Sequence, residues 1–292
     1  MTENGYSGSG GHAGALFITP ADALLVIDMQ ADFMPGGTLG VAGADGIVPL
    51  INRLCELPFG LIAATQDWHP ADHVSFGMQG GSWPAHCVAG TKGAALVPDL
   101  AQAHIGVVLR KGMKPDTDSY SAFEDNARAS RTGLEGLLRG RGISRVFVVG
   151  VALDYCVAAT ARDAARAGFA TVVLTDACRS VAQPVAAVEA ALVSEGIGIA
   201  HAVDVLALMD RGLTPGEIAD QLEALLAGRA YVQAIATRAL KIYNSHDRPR
   251  CKALSDALME LVTIDAEPEF ELDRNAILAI INAIRNCLKT DH

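Results

Sequence analysis

Three side chains with complementary chemistry each stand just beyond a short apolar run. Cys156 lies in RVFVVGVALDYCVAAT, Asp28 follows ALLVI, and Lys111 follows the run that opens at Val107. A thiol, a carboxylate and an ammonium can share one reaction. The thiol attacks, the carboxylate takes its proton, and the ammonium keeps the carboxylate charged and stabilises the thiolate. Each residue also has a plainer reading taken alone. A free cysteine is usually a small buried hydrophobe, an aspartate a cap, and a lysine a solvated surface charge. A second constellation is Asp67-Trp68-His69-Pro70-Ala71-Asp72-His73. Asp67 and His69 alternate along an extended segment, so both can face the same side. Asp-x-His offers one oxygen and one imidazole nitrogen to an ion, a pairing suited to zinc, iron or manganese. His73, His86 and Cys87 are candidates to complete that set.

These residues need elements that bring them together. Ala23 to Ile27, Leu61 to Thr65, Val107 to Leu109, Arg145 to Val149 and Ala170 to Leu174 read as buried strands, with Ile197 to Ala200 as a short sixth. Helical spacing runs over Ile47 to Leu57, Leu134 to Arg139, the Ala-rich stretch from Cys156, and Val185 to Ser194. Strand and helix alternate. That order predicts an α/β fold, a mainly parallel open sheet with helices on both faces. Such sheets bind ligands at the carboxyl ends of their strands. Asp28, Lys111 and Cys156 all fall at that edge. Cys156 also opens a helix, whose N-terminal field favours a thiolate.

The 292 residues suffice for one α/β domain and a second unit. A formal charge of −10 argues against a general nucleic-acid binder. No uninterrupted apolar run reaches the roughly 18 residues of a membrane span. The first lysine or arginine is Arg53, which argues against a signal or transit peptide. The expectation is a cytoplasmic protein with free thiols, since six scattered cysteines in a large hydrophobic chain need no disulfide framework. Residues 1–20 read as a disordered tail: the glycines of the first fourteen have no strand before them, so they do not form a phosphate loop.

The segments VIDMQADF, ATQDWHPADHVSF, WPAHCVAGT, RKGMKPDTDSYSAF, VVGVALDYCVAATARDA and VVLTDACRSV resemble nicotinamidases, members of the isochorismatase-like cysteine hydrolases. The likeness runs in collinear order from Ala23 to Ile199. It implies hydrolysis of nicotinamide, and of pyrazinamide, to the acid and ammonia through a cysteine thioester, within NAD salvage. It implies that Asp28, Lys111 and Cys156 are the catalytic triad. Asp67, His69 and His86 would hold one divalent metal ion, zinc before iron or manganese. His73 is a weaker ligand candidate, because only three residues separate it from His69. Phe33 and Trp83 would sandwich the pyridine ring. The Val151–Ala152 peptide falls where the family has a cis bond, and the N–H groups of Ala152 and Cys156 would form an oxyanion hole. Leu153 departs from the threonine common there.

The resemblance stops before the last third of the chain. Domain organisation therefore reads as a hydrolase domain over 21–211 and a helical extension of unknown role over 212–292, joined near Gly212. Thr214-Pro215-Gly216-Glu217 is a capping box with proline at the first helical position. Helices are expected from Ile218 to Gly228, from Ala230 to Tyr243, from Lys252 to Val262, and after Asp273. Turns are expected over 244–250 and 267–269. This module could form an oligomer contact or a lid. Two other functions stay open: an amidase for carbamoyl or ureido substrates, which would lack the Asp67, His69 and His86 combination, and a binding protein whose tail is the functional part.

Overall fold

The computed structural model describes residues 16–211, 214–226, 231–244, 252–264 and 273–287. It divides into two compact units, one over Ile18–Leu206 and one that takes Phe17 and the described residues from Ala207 onward. The division falls within a helix, slightly before the expected Arg211; Gly212, the expected junction, lies outside the described residues. So do the expected tail as far as residue 15 and most of the turns over 244–250 and 267–269. Phe17 and Ile18, within the expected tail, are buried.

The first unit is built on six parallel strands: β1 (Asp22–Ile27), β2 (Leu61–Asp67), β3 (Val107–Lys111), β4 (Arg145–Val151), β5 (Ala170–Arg179) and β6 (Gly198–Ala200), in the order β3-β2-β1-β4-β5-β6. The chain first builds outward from β1 to β3, then starts again on the other side with β4. The strand order therefore reverses between β1 and β4, and ligand crevices open at such a switch point. β1 is buried along its whole length. Ala23, Leu25 and Ile27 join a core with Leu134 and Leu138 of α2 (Leu134–Gly140), Ala161 of α3 (Ala158–Arg166) and Leu192 of α4 (Val185–Ser194). Leu24 and Val26 on the opposite face are equally buried. Burial of both faces explains why β1, β2 and β4 read as continuous apolar runs.

Gly150 sets the spacing at the switch point. It pairs with Ile27, has φ +113°, and a Cβ there would run into the Ile27 backbone. Strands β2 and β3 run two residues further than expected, to Asp67 and Lys111. Between β4 and α3 the chain makes a π-helical turn over Leu153–Val157. Helix α1 (Val48–Cys55) matches the expected position, whereas α5 (Ala202–Arg211) was not expected. Its first N–H groups, on Ala202 and Val203, donate to Asp176 at 2.6 and 3.1 Å. That cap comes from β5, so no local sequence signal announces the helix.

The second unit contains α6 (Pro215–Leu225), α7 (Tyr231–Asn244), α8 (Lys252–Thr263) and α9 (Arg274–Asn286). Thr214 and Glu217 close the expected capping box, and Asp273 accepts from the Ala276 N–H at 2.8 Å. Ile218, Leu222, Ile235, Leu258, Ile277 and Ile281 belong to one apolar cluster drawn from all four helices. Arg285 of α9 donates to Asp220 and Glu223 of α6 at 2.6 and 2.7 Å. Among the described residues no helix is long and apolar enough to cross a membrane.

Candidate active site

Four adjacent strands each deliver one polar group to the same edge. Lys111 ends β3 and is paired in register with Asp67, which ends β2. Asp28 follows β1, and Cys156 lies in the turn after β4. Asp28, Asp67 and Lys111 are 0%, 4% and 2% exposed, and Cys156 is 7% exposed. The Lys111 ammonium sits among them. Its Nζ donates to Asp67 Oδ1 at 2.6 Å, to the Ser119 carbonyl at 3.0 Å and to Cys156 Sγ at 3.4 Å. It also faces Asp28 Oδ2 as an ion pair at 2.9 Å. Burial alone would pull the lysine's pKa down, but the Asp28 and Asp67 carboxylates outweigh it and hold it well above its ordinary value. Burial would raise Asp67, yet Lys111 keeps it well below the usual carboxylate range.

Asp28 is fixed from two sides. Its backbone sits at φ +49°, its N–H donates to Thr65 Oγ1 at 3.1 Å, and the Thr65 hydroxyl donates to Asp28 Oδ1 at 2.6 Å. Oδ2 is left without a well-aligned donor. Burial pushes the Asp28 pKa up, against the pull of Lys111. Asp28 and Cys156 each place a ligand-type atom within 4.8 Å of the other's. Burial also pushes the Cys156 thiol well up; Lys111 lowers it, and Asp28 and Asp67 raise it again. The expected thiolate-favouring field of a helix start is therefore outweighed. Desolvation by the buried site favours the neutral thiol, with a carboxylate oxygen close by to receive its proton.

The expected ligand candidates separate into two groups. Ligand atoms of Asp67, His69 and His86 lie within 4.8 Å of one another, and all three residues are buried. His69 Nδ1 lies 2.8 Å from the Gly112 carbonyl, and His86 Nδ1 lies 2.8 Å from the Pro84 carbonyl. A carbonyl only accepts, so each Nδ1 carries a proton, and in the neutral ring Nε2 keeps its lone pair. Burial would lower the His69 pKa, but the Asp67 carboxylate raises it against that burial. His69 Nε2 is 3.7 Å from Asp67 Oδ2. Burial lowers the His86 pKa and favours the neutral, ligating form. One carboxylate oxygen and two oriented imidazole nitrogens fit a divalent transition metal with open positions. Gly112 makes this possible: at φ +62° a Cβ there would enter the His69 ring. His73 instead spends Nδ1 on Ser75 Oγ at 2.7 Å and Nε2 on the Thr117 carbonyl at 3.3 Å. It stacks on His69 at 4.0 Å and groups with His69 and Asp118, outside the Asp67–His86 set. Cys87 Sγ faces the Gly93 carbonyl at 4.0 Å.

A narrow cleft opens above these groups. Phe33, Trp83, Ala152 and Cys156 line it, as the sequence led us to expect, and the Val151–Ala152 peptide is cis. Tyr120, Tyr155, Asp118 and Val181 also line it and were not singled out from sequence. Trp83 and Tyr155 meet edge to face at 5.2 Å, and Tyr120 meets Tyr155 at 5.6 Å. Tyr155 had one available signal, its place beside Cys156. Val181 had none.

A thiol, a buried ammonium and carboxylates below an aromatic cleft at the switch point of a parallel sheet define an amidohydrolase of the α/β class. The isochorismatase domain matches residues 22–193, and the chain belongs to that family. It is 46% identical over 175 residues to the nicotinamidase of Acinetobacter baylyi, covering 54% of this chain and 81% of that protein. Among solved structures, PnC1 from L. infantum in complex with nicotinate superposes with a TM-score of 0.63 at 43% identity, covering 64% of this chain and 96% of that one. The pyrazinamidase of Pyrococcus horikoshii in complex with zinc gives a TM-score of 0.56 at 41% identity, over 62% and 99% of the two chains.

Proposed function

We propose that the chain hydrolyses nicotinamide, and pyrazinamide, to the carboxylic acid and ammonia, with Asp28, Lys111 and Cys156 as its catalytic residues. The observation that carries the reading is the Lys111 ammonium, which touches Cys156 Sγ at 3.4 Å and Asp28 Oδ2 at 2.9 Å beneath an aromatic cleft. Phe33 and Trp83 hold the ring by its two faces. The Cys156 thiol gives its proton to Asp28 as the sulfur attacks the carboxamide carbon. The N–H groups of Ala152 and Cys156 receive the negative oxygen. Asp28 returns the proton to the nitrogen as the C–N bond breaks, and ammonia leaves. A thioester remains on Cys156. Water then adds to it as Asp28 takes one of its protons, the C–S bond breaks, the sulfur takes that proton back from Asp28, and the carboxylic acid leaves and ionises in solvent. Lys111 pulls the Asp28 pKa down against burial and so favours the anionic form that accepts each proton.

Asp67, His69 and His86 would hold one divalent metal ion, with zinc as the leading choice and His73 outside the ligand set. When bound, the ion supplies a Lewis-acidic anchor for the pyridine nitrogen and can position water. The five described cysteines are free, which fits a reducing, cytoplasmic location. The partner is a small molecule; a homo-oligomer is compatible with this reading.

Ammonia release from nicotinamide, with elemental analysis of the purified protein, tests the proposal. Wild type should turn over nicotinamide and carry about one equivalent of metal, the count one three-ligand site implies. Cys156→Ala should lose turnover and keep its metal. His69→Ala and His86→Ala should lose metal, whereas His73→Ala should lose much less. Wild-type turnover in Cys156→Ala would refute the nucleophile. Metal loss in His73→Ala but not in His86→Ala would refute the ligand set.

A further inference from the structure

Asp154 lies two residues before Cys156, inside the π-helical turn that carries the nucleophile. Its carboxylate reaches across to another segment. Oδ1 accepts from the Val181 N–H at 2.9 Å, and Oδ2 accepts from the Ala182 and Gln183 N–H groups at 2.8 and 2.9 Å. These three consecutive residues belong to the connection between the end of β5 at Arg179 and the start of α4 at Val185. Their N–H groups are satisfied by one anionic side chain rather than by a strand or helix. Hydrogen bonds to an ionised acceptor are about twice as strong as neutral ones. The connection therefore takes its position from the nucleophile's own turn.

That position matters because Val181 lines the cleft together with Phe33, Leu39, Tyr155 and Cys156. Val181 is 45% exposed, so its isopropyl group is held at the open rim with little packing to fix it. Backbone bonds to Asp154 do the fixing. A wall of this kind contacts the flat body of a ring and leaves the carboxamide to the polar floor. We infer that Asp154 is a positioning residue for substrate binding, pinning the 180–184 connection so that Val181 closes one wall of the cleft against the ring of a small aromatic carboxamide. This rests on the nicotinamidase reading above. It adds a determinant of ring fit that is neither a triad member nor a metal ligand.

The simplest competitor is that Asp154 only tethers the start of α4, or only shapes the nucleophile's turn. A double-mutant cycle separates the three. Asp154→Asn keeps the size but turns an amide N–H₂ toward backbone donors. It should raise KM for nicotinamide about tenfold with kcat within about twofold, the pattern of lost uniform binding. Val181→Ala should raise KM about fivefold, within the range for small apolar changes in a pocket. The double variant should show no more than the Asp154→Asn effect alone, because both act on one contact. Amide hydrogen exchange at 181–183 should speed up about tenfold or more in Asp154→Asn, since local opening becomes easier. The rate of Cys156 alkylation by iodoacetamide should stay at the wild-type value.

Unchanged exchange at 181–183 would overturn the inference, because Asp154 would then not hold the connection. Multiplying KM effects, about fiftyfold in the double variant as expected of independent sites, would show that Asp154 does not act through Val181. A fall in kcat and in alkylation rate with KM unmoved would assign Asp154 to the nucleophile's turn. If Asp154→Asn does not fold, Asp154→Glu, which keeps the charge but displaces both oxygens, is read by the same criteria. A wild-type protein inactive on nicotinamide would fail the underlying reading, and the inference would fall with it; an active wild type with either contrary result would sink the inference alone.

Discussion

Thr65 shows how a residue outside the reacting set controls one inside it. Its hydroxyl both donates to Asp28 Oδ1 and accepts the Asp28 N–H. One carboxylate oxygen is thereby held by the hydroxyl, and the other is turned toward Lys111 at 2.9 Å. Thr65→Val keeps the shape and removes both bonds. Leaving a buried donor and a charged acceptor unsatisfied should cost about 1–3 kcal/mol of stability. The freed carboxylate should also lower kcat about tenfold or more, since small misplacements of a reacting group cost up to about 100-fold. Denaturant unfolding and steady-state kinetics on one preparation check both. A variant with wild-type kcat would show that Asp28 needs no such support.

At the scale of elements, the close approach of β1 and β4 decides whether the site exists. Both strands end at the switch point, and Gly150 lets them meet without a side chain between them. Asp28 and Cys156 hang from these two strands, so any widening separates base from nucleophile. Gly150→Ala combines a strained φ with a backbone clash. We expect a loss of about 3 kcal/mol or more, the sum of typical strain and overpacking costs. Soluble protein should have little turnover. A midpoint of unfolding equal to wild type would mean that β1 moves aside at no cost. The register of Asp67 against Lys111 is the second such device: pairing in a parallel ladder puts both side chains on one side of the sheet.

For the whole molecule, the candidate site belongs entirely to the unit over Ile18–Leu206. The helices α6 to α9 have an apolar cluster of their own, with Ile277, Ile281 and Ile284 fully buried in it. Each unit thus has an apolar cluster of its own. A chain ending at Arg211 should keep its metal and hydrolyse nicotinamide. The segment from 212 onward should fold alone as a helical bundle with a cooperative melt. Turnover, metal content and mass of both pieces are the measurements. A folded, metal-loaded first piece without turnover would show that the helical unit takes part in catalysis.

What the sequence determined by itself is mostly local. The apolar runs marked β1, β2 and β4 because burial on both faces leaves no alternation to confuse them. Thr214 with Glu217, and Asp273, announced their helices because those caps lie within three residues of the groups they satisfy. Asp28, Lys111, Cys156 and the Asp67–His69 pair were legible as a group because each follows an apolar run, which places them at one edge of a parallel sheet. Tertiary structure decided the rest. α5 depends on a cap from Asp176, 26 residues away. That His86 groups with Asp67 while the His73 ring nitrogens face Ser75 and Thr117 depends on how distant loops meet. The protonation of Cys156 depends on burial, which only the closed fold supplies. Val181 reaches the cleft through the carboxylate of Asp154, a link of 27 residues that no periodicity or spacing encodes.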